Sequence, residues 1–534
     1  AEIKHMKKAV LQKPTMSNNE EIYTIIMLIS LLYLLAYFLT LSYTSYGIFR
    51  DELYYLACAN RPAFGYVDHP PLSIWILAVW KFILGDSLFI IRILPAIIST
   101  ATIFMIGLFT ARLGGGKSAV IISTLTFMLS PIFLGMTTTY SMNAFDFFFW
   151  ILSAYIFLCI LQSCDSRLWY MLGIVIGLGL LNKTSMIWLG AGVMVGTLFT
   201  PLREVLKTKY PYLAAAIALL IFSPYIIWNL THDFAHLEFM KNAAISKYGR
   251  LSTASFVLDL ALVLNPLSFL IWIPGLVFYF FNKRSRQFRA LGYIWLITLA
   301  VLFINWHSKA EYIAPAFQIL FAGGAVMITQ WNVKLNRLKY ALAVPVIVIG
   351  ILLSPLARPL LPVENLLGYQ SALILKQPNS EGYKTALPQF YADMFGWEGL
   401  ARNVSKVYQS LPDEDKIHTA VYCSNYGRAG AVEYYSKKYP LPKVICPHNN
   451  YWYWSSDSGV SNGLDESPGS TNIRTVIIIG GEIEDHFKLF EHVEVAGVHK
   501  TKYAMSYENN LTIFIGRRLK IPVEDKRQRE KVFI

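Results

Sequence analysis

The chain has 534 residues, of which 55% are hydrophobic and 15% charged, and its mean hydropathy is +0.43. That is too apolar for one soluble globular domain and describes a membrane protein. The formal charge of +13 comes with no nucleic-acid motif and is the pattern of Lys and Arg held in cytoplasmic loops.

Ala1–His5, ahead of Met6, reads as an addition to the natural chain, and nothing before Glu21 resembles a cleaved signal. Residues 1–21 are thus expected to be a cytoplasmic N-terminus, with the run 22–46 as a retained first span. Further apolar runs near the ~20-residue bilayer length follow at 87–111, 118–136, 143–163, 212–230, 256–281, 290–306, 311–331 and 339–356. The stretch 168–200 is interrupted by Asn182-Lys-Thr-Ser185 and reads as two spans meeting in a tight turn, which brings the total to about eleven.

The basic loops agree with alternating spans. Lys7, Lys8 and Lys13, Arg112 with Lys117, Arg167, Arg203 with Lys207 and Lys209, Lys283 to Arg289, and Lys334 with Arg337 and Lys339 all fall on one side, the cytoplasmic one. The loop 47–86, the loop 231–255 and everything after 357 then face outward. Residues 72–84 are apolar but too short to span and carry Lys81, so they read as a helix lying in the outer interface. From 357 to 534 the composition becomes polar, with strand-like runs at 418–423, 475–480 and 511–515, as expected for an extracytoplasmic α/β domain. Cys423 and Cys446 share that region, and spacing leaves open whether they are bonded.

Asp51-Glu52 stands directly after the first span, and Gly65-Tyr-Val-Asp-His-Pro-Pro-Leu72 follows in the same loop. Ionisable groups at that depth are costly and mark chemistry. The Arg50–Tyr55 and Gly65–Leu72 runs resemble the bacterial branch of the dolichyl-phosphate-mannose protein mannosyltransferase family, which implies displacing a phosphate from a sugar, and that requires a base for the incoming hydroxyl and cations or donors for the departing group. Asp51 suits the base, and repulsion from Glu52 would raise the pKa of one carboxyl. The plainer alternatives are a helix N-cap for Asp51 and a dipole or ion-pair role for Glu52.

For the phosphate and donor, Tyr54, Tyr55, Asp68, His69, Lys183, Lys241, Lys309 and Tyr312 are candidates. Against this, Lys241 and Lys309 could be snorkelling cations and Lys183 a buried partner of Asp146. Tyr140, Asn143 and Asp146 could line a sugar pocket, with an N-cap as the alternative for Asn143. His232 and His236, four apart, could with Asp68 hold a divalent metal ion, or simply form a polar loop. Asp413-Glu-Asp415 follows Pro412 and reads as a solvated helix start. Tyr451-Trp-Tyr-Trp454 would stack on a sugar, dip into the bilayer surface or, slightly favoured, pack on the membrane domain.

Arg50-Asp-Glu-Leu-Tyr-Tyr55, Gly65 to Leu72, Arg92-Ile-Leu-Pro95, Arg112-Leu-Gly-Gly115, Gly179-Leu-Leu-Asn-Lys183, Asn265-Pro-Leu267 and Lys309 to Pro315 together resemble the bacterial branch of the dolichyl-phosphate-mannose protein mannosyltransferase family. Asn425-Tyr-Gly-Arg-Ala-Gly-Ala431 and Asn449-Asn-Tyr-Trp452 resemble its C-terminal domain. The resemblance implies a polytopic α-helical protein of the GT-C fold in the bacterial inner membrane, with its active site and C-terminal domain on the periplasmic face. It further implies a polyprenyl-phosphate-linked sugar donor, an acceptor that is a glycolipid, a glycan or a protein, inversion at the anomeric carbon, and Asp51 in the catalytic position. Where the aminoarabinose transferases of this family carry a basic residue three positions after that Asp and a Glu-Lys-Pro further on, this chain has Tyr54 and Asp68-His69-Pro70, which leaves sugar and acceptor open. A transporter or flippase for a lipid-linked sugar, or a membrane scaffold, are the competing classes; a transporter would show charges at the bilayer midplane and inverted repeats.

Overall fold

The computed structural model describes residues 19–43, 46–246, 253–304, 309–331, 337–373, 379–380, 383–456, 473–520 and 530–534. Lys7, Lys8, Lys13, Lys334 and residues 247–252 of the second outer loop lie outside the described residues. Among the described residues each apolar run is mainly helical, but not every run becomes one long helix. Among the described residues seven helices are long and apolar enough to cross a membrane, or nine when two bent pairs are each taken as one span. The two other expected spans are present as the shorter apolar helices Lys117–Met128 and Arg167–Asn182. The run 118–136 breaks before Pro131 into Lys117–Met128 and Pro131–Met136, and the helix Arg167–Asn182 stops short at Lys183. Proline removes the donor that would continue the first helix.

The long helices shuttle between two ends of a bundle. Leu88–Arg112 starts beside the C-terminal domain, where Tyr434 Oη donates to the Asp86 carbonyl at 3.1 Å, and ends at the basic loops. There Gln162 donates to the Arg112 carbonyl and Gln330 to the Gly114 carbonyl. Arg112, Lys117 and the 283–289 cations therefore gather at the end opposite the C-terminal domain.

Close backbone approach ties part of this bundle together, as expected where two apolar helices gain nothing from excluding water from one another. A methyl group at Gly324 would strike the Ile271 carbonyl, and one at Gly275 the Leu320 carbonyl, so the helices Phe269–Leu276 and Ala314–Thr329 touch along their backbones. Gly324→Val is expected to force them apart at a cost of ~1–3 kcal/mol, the usual scale for overpacking. A lower melting temperature in detergent, without loss of helical circular dichroism, checks this.

Leu72–Leu84 forms a helix of 13 residues, with Phe82 90% exposed and Val79 and Ile83 also outward, as an interfacial helix requires. The C-terminal part carries a five-stranded sheet of β1 (Thr419–Tyr422), β2 (Lys443–Ile445), β3 (Thr475–Ile479), β4 (Phe490–His499) and β5 (Leu511–Leu519), in the order β2-β1-β3-β5-β4. β1 pairs parallel with β2 and β3, and β5 antiparallel with β3 and β4. Alternate residues serve the two faces. Val421, Ile477, Ile479, Ile513 and Ile515 pack toward the helices Trp397–Gln409 and Tyr426–Tyr435, whereas Val476, Ile478 and Phe514 pack under Ile483 and Leu489.

Cys423 and Cys446 are free and buried, and burial pushes the Cys446 thiol up to about 12. Asp413–Lys416 is a short exposed helix closed by Lys416 on Asp413 at 2.8 Å, as a solvated start should be. The 451–454 aromatics pack on the membrane domain: Tyr451 and Trp454 lie against Tyr54, and Trp452 and Tyr453 join a cluster with Val67 and Trp228.

Candidate active site

The helix Arg50–Ala59 carries the acidic pair. Phe49, not Asp51, is its N-cap, and Glu52 supplies the cap's acceptor by taking the Phe49 N–H at 2.9 Å. Glu52 is fully buried. Its oxygens also accept from Arg92 Nε at 3.0 Å, Arg92 Nη2 at 2.8 Å and the Tyr140 N–H at 2.9 Å. All of its acceptor capacity is thereby committed, and it does not line the cavity beside Asp51. The expected catalytic role for Glu52 gives way to that of an ion-pair partner that pins the helix to the Arg92 span.

One residue earlier the helix points elsewhere. The Asp51 side chain is 40% exposed and faces a cavity of about 320 Å³. One of its oxygens accepts from Tyr426 Oη at 2.8 Å and stands 3.7 Å from Arg50 Nε. The cavity's polar lining also includes Tyr54, Tyr55, Asp68, Asn143 and Lys183. Tyr54 Oη donates to Asp68 at 2.9 Å, and the Tyr55 hydroxyl accepts from the Met142 N–H at 3.3 Å. Lys183 sits at the break between two helices with extended backbone, donating to Asn143 Oδ1 at 2.8 Å and pairing with the buried Asp146 at 3.2 Å. The Asp146 pairing foreseen as the plainer alternative is real, yet Lys183 also opens into the cavity, 5.7 Å from the Tyr312 ring centroid.

The same cavity is also lined by the apolar side chains of Trp188, Phe239, Met240, Ala243, Ala244 and Leu302. Charged and hydrocarbon groups lining one cleft suit a ligand that is itself half charged and half hydrocarbon.

Several expected residues lie elsewhere. His69 is buried beneath Tyr54, Tyr55 and Tyr66, stacked on Tyr55 at 4.8 Å, and does not line the cavity. Tyr140 is buried with its hydroxyl on the Ser73 carbonyl, and Asp146 lies behind Lys183; neither reaches the cavity surface. Lys241 and Lys309 are exposed and outside the lining, Lys309 standing 3.8 Å from Glu311. Asn143 does line it and is not the N-cap, which is Ser141.

The metal trio does not assemble. His232 stacks on Trp228 at 4.2 Å with Nδ1 on the Trp228 carbonyl, while His236 places Nδ1 on the Val67 carbonyl at 3.0 Å and faces the cavity. Burial pushes His236 below its ordinary value. Among the described residues no group of three His, Cys, Asp or Glu stands close enough to hold a metal ion.

Tyr426, Asn449 and Ile534, all from the C-terminal part, also line the cavity and were not among the expected residues. Tyr426 and Asn449 were signalled only by membership of the Asn425–Ala431 and Asn449–Trp452 motifs, because 375 positions separate Tyr426 from Asp51, and Ile534 was signalled by nothing.

An apolar helix bundle, a C-terminal sheet domain and a two-faced cavity between them define a polytopic helical membrane protein of the GT-C fold. Residues 68–228 match the profile of the family described as dolichyl-phosphate-mannose-protein mannosyltransferase. The matched stretch begins at Asp68 and so does not include Asp51. The lipid A galacturonosyltransferase RgtD of Rhizobium johnstonii is 22% identical over 194 residues, which are 36% of this chain and 41% of that protein. The chain thus matches about two fifths of that relative's length. ArnT from Cupriavidus metallidurans, in a crystal structure bound to undecaprenyl phosphate, superposes with a TM-score of 0.57 at 12% identity, over 92% of this chain and 97% of that one. The archaeal oligosaccharyltransferase AglB from Archaeoglobus fulgidus, in complex with an inhibitory peptide and a dolichol-phosphate, gives 0.50 at 12% identity over 87% and 70%.

Proposed function

We propose that the chain is an inverting glycosyltransferase that moves a sugar from a polyprenyl-phosphate donor to the hydroxyl of a glycolipid, glycan or protein at the outer face of the bacterial inner membrane. The observation that carries this is the shared cavity, lined both by the Asp51 carboxylate and the Lys183 ammonium and by hydrocarbon side chains. The prenyl chain would lie along Trp188, Phe239, Met240 and Leu302, and the phosphate would sit toward Lys183. Asp51 takes the proton of the acceptor hydroxyl as its oxygen forms the new bond to the anomeric carbon. The bond from that carbon to the phosphate oxygen breaks on the opposite face, so the configuration inverts, and the leaving phosphate keeps the electron pair beside Lys183.

Support for the outward orientation comes from the basic loops, which gather at the end away from the cavity as cytoplasmic loops do. Ligand-bound relatives support the donor class, since the ArnT and AglB structures carry undecaprenyl phosphate and a dolichol-phosphate respectively. Polar lining at one end of the bundle fits one-sided chemistry better than transport, which needs a site open alternately to both sides.

Undecaprenyl phosphate titrated into the purified protein in nanodiscs tests this, with cavity-lining Trp188 as a fluorescence reporter. Saturable binding is expected. Replacing Lys183 alone would strand the buried Asp146, so the informative variant is Lys183→Met with Asp146→Asn. It is expected to fold and to bind at least about tenfold more weakly, the scale of one lost charged contact. A wild-type protein with no affinity for this lipid would overturn the proposal.

A further inference from the structure

The motif Asn425-Tyr-Gly-Arg-Ala-Gly-Ala431 has no part in the steps above, yet it holds its helix between the sheet domain and the helix that bears Asp51. Asn425 caps the helix Tyr426–Tyr435 by accepting the Arg428 N–H at 3.0 Å. Arg428 locks that helix to the sheet domain through Glu508 at 2.7 Å and the Ile479 carbonyl at 2.9 Å. The two glycines let it lie directly on Arg50–Ala59. A Cβ at Gly427 would stand 2.6 Å from Arg50 Cγ, and one at Gly430 would stand 2.9 Å from Leu53 Cβ. This contact sets the Tyr426 hydroxyl 2.8 Å from Asp51 Oδ1, with the ring 5.0 Å from Tyr54 and the Arg50 guanidinium 5.5 Å from its centroid.

We infer that Tyr426 is a positioning residue for Asp51, so that the C-terminal domain supplies part of the catalytic geometry rather than a separate binding module. Burial holds the Tyr426 phenol well above its ordinary range, so the hydroxyl keeps its proton and donates it to one carboxylate oxygen. With that oxygen occupied, the other is the one free to receive the acceptor's proton. Fixing a base within a few tenths of an ångström is worth large factors in rate, because misplaced groups lose the benefit of proximity. This inference rests on the transferase proposal.

The test uses the full chain in cells and in nanodiscs. Tyr426→Phe removes one oxygen and is expected to lower formation of the glycosylated envelope product, per unit of protein, tenfold or more. Affinity for undecaprenyl phosphate should stay within twofold of wild type. Tyr451→Phe is the control, since Tyr451 is a buried tyrosine of the same interface whose hydroxyl goes to Glu433 at 2.9 Å instead. It should transfer like wild type. Unchanged transfer in Tyr426→Phe, or equal losses in both variants, would overturn the inference and leave the transferase proposal standing. A wild-type chain that neither binds undecaprenyl phosphate nor alters the envelope would overturn both.

Discussion

Asp51→Asn is expected to reduce sugar transfer by ~10²–10⁴-fold, the range that a positioned general base contributes. The substitution is nearly isosteric at a side chain that is 40% exposed, and the amide can still accept from Tyr426. Folding and affinity for undecaprenyl phosphate should therefore hold while turnover collapses. Measuring product in cells that express equal amounts of the two proteins separates these effects. Transfer by the variant at the wild-type rate would remove Asp51 from the chemistry and leave the cavity as a binding site alone.

Glu52→Ala is expected to fail differently. It strands the buried Arg92 guanidinium and frees the Phe49 and Tyr140 N–H groups, all of which Glu52 now satisfies. Breaking a buried pair from one side costs ~3–5 kcal/mol, enough to unseat the helix Arg50–Ala59. The variant should give a much lower melting temperature and little monodisperse protein. Glu52→Gln with Arg92→Met removes both charges together and should recover much of that loss, since neutral replacement of a buried pair is often tolerated. A stable Glu52→Ala protein that is catalytically dead would instead return Glu52 to the reaction itself.

These two carboxylates show where sequence reasoning ends. Their position after the first span was legible, because a charged pair at the edge of a long apolar run has few structural excuses. Which of them opens to the cavity was not, for adjacent helical residues differ by about 100° in direction, and only the packing of Arg92 and Tyr140 decides it. The membrane class, the location of the apolar runs and the break at Lys183 were likewise plain, while the break before Pro131, inside a run that is apolar throughout, was not. His69 looked like a phosphate ligand from its place in a loop and is instead walled in by three tyrosines. Tyr426 and Asn449 reach the site only through the docking of a domain hundreds of residues away, and no local pattern encodes that contact. The small-residue spacing of Gly427 and Gly430 did carry information about a close helix contact, but not about its partner.

The proposed reaction requires that a lipid-linked sugar leave its phosphate in this cavity for an acceptor outside the cytoplasm. Mass spectrometry of envelope glycolipids, glycans and proteins, compared between cells that make this chain and cells that lack it, tests that most directly. One acceptor class should lose a single sugar of defined mass when the chain is absent, and regain it on re-expression of wild type but not of Asp51→Asn. Identical sugar profiles in the two strains, with the lipid-linked donor present in both, would contradict it.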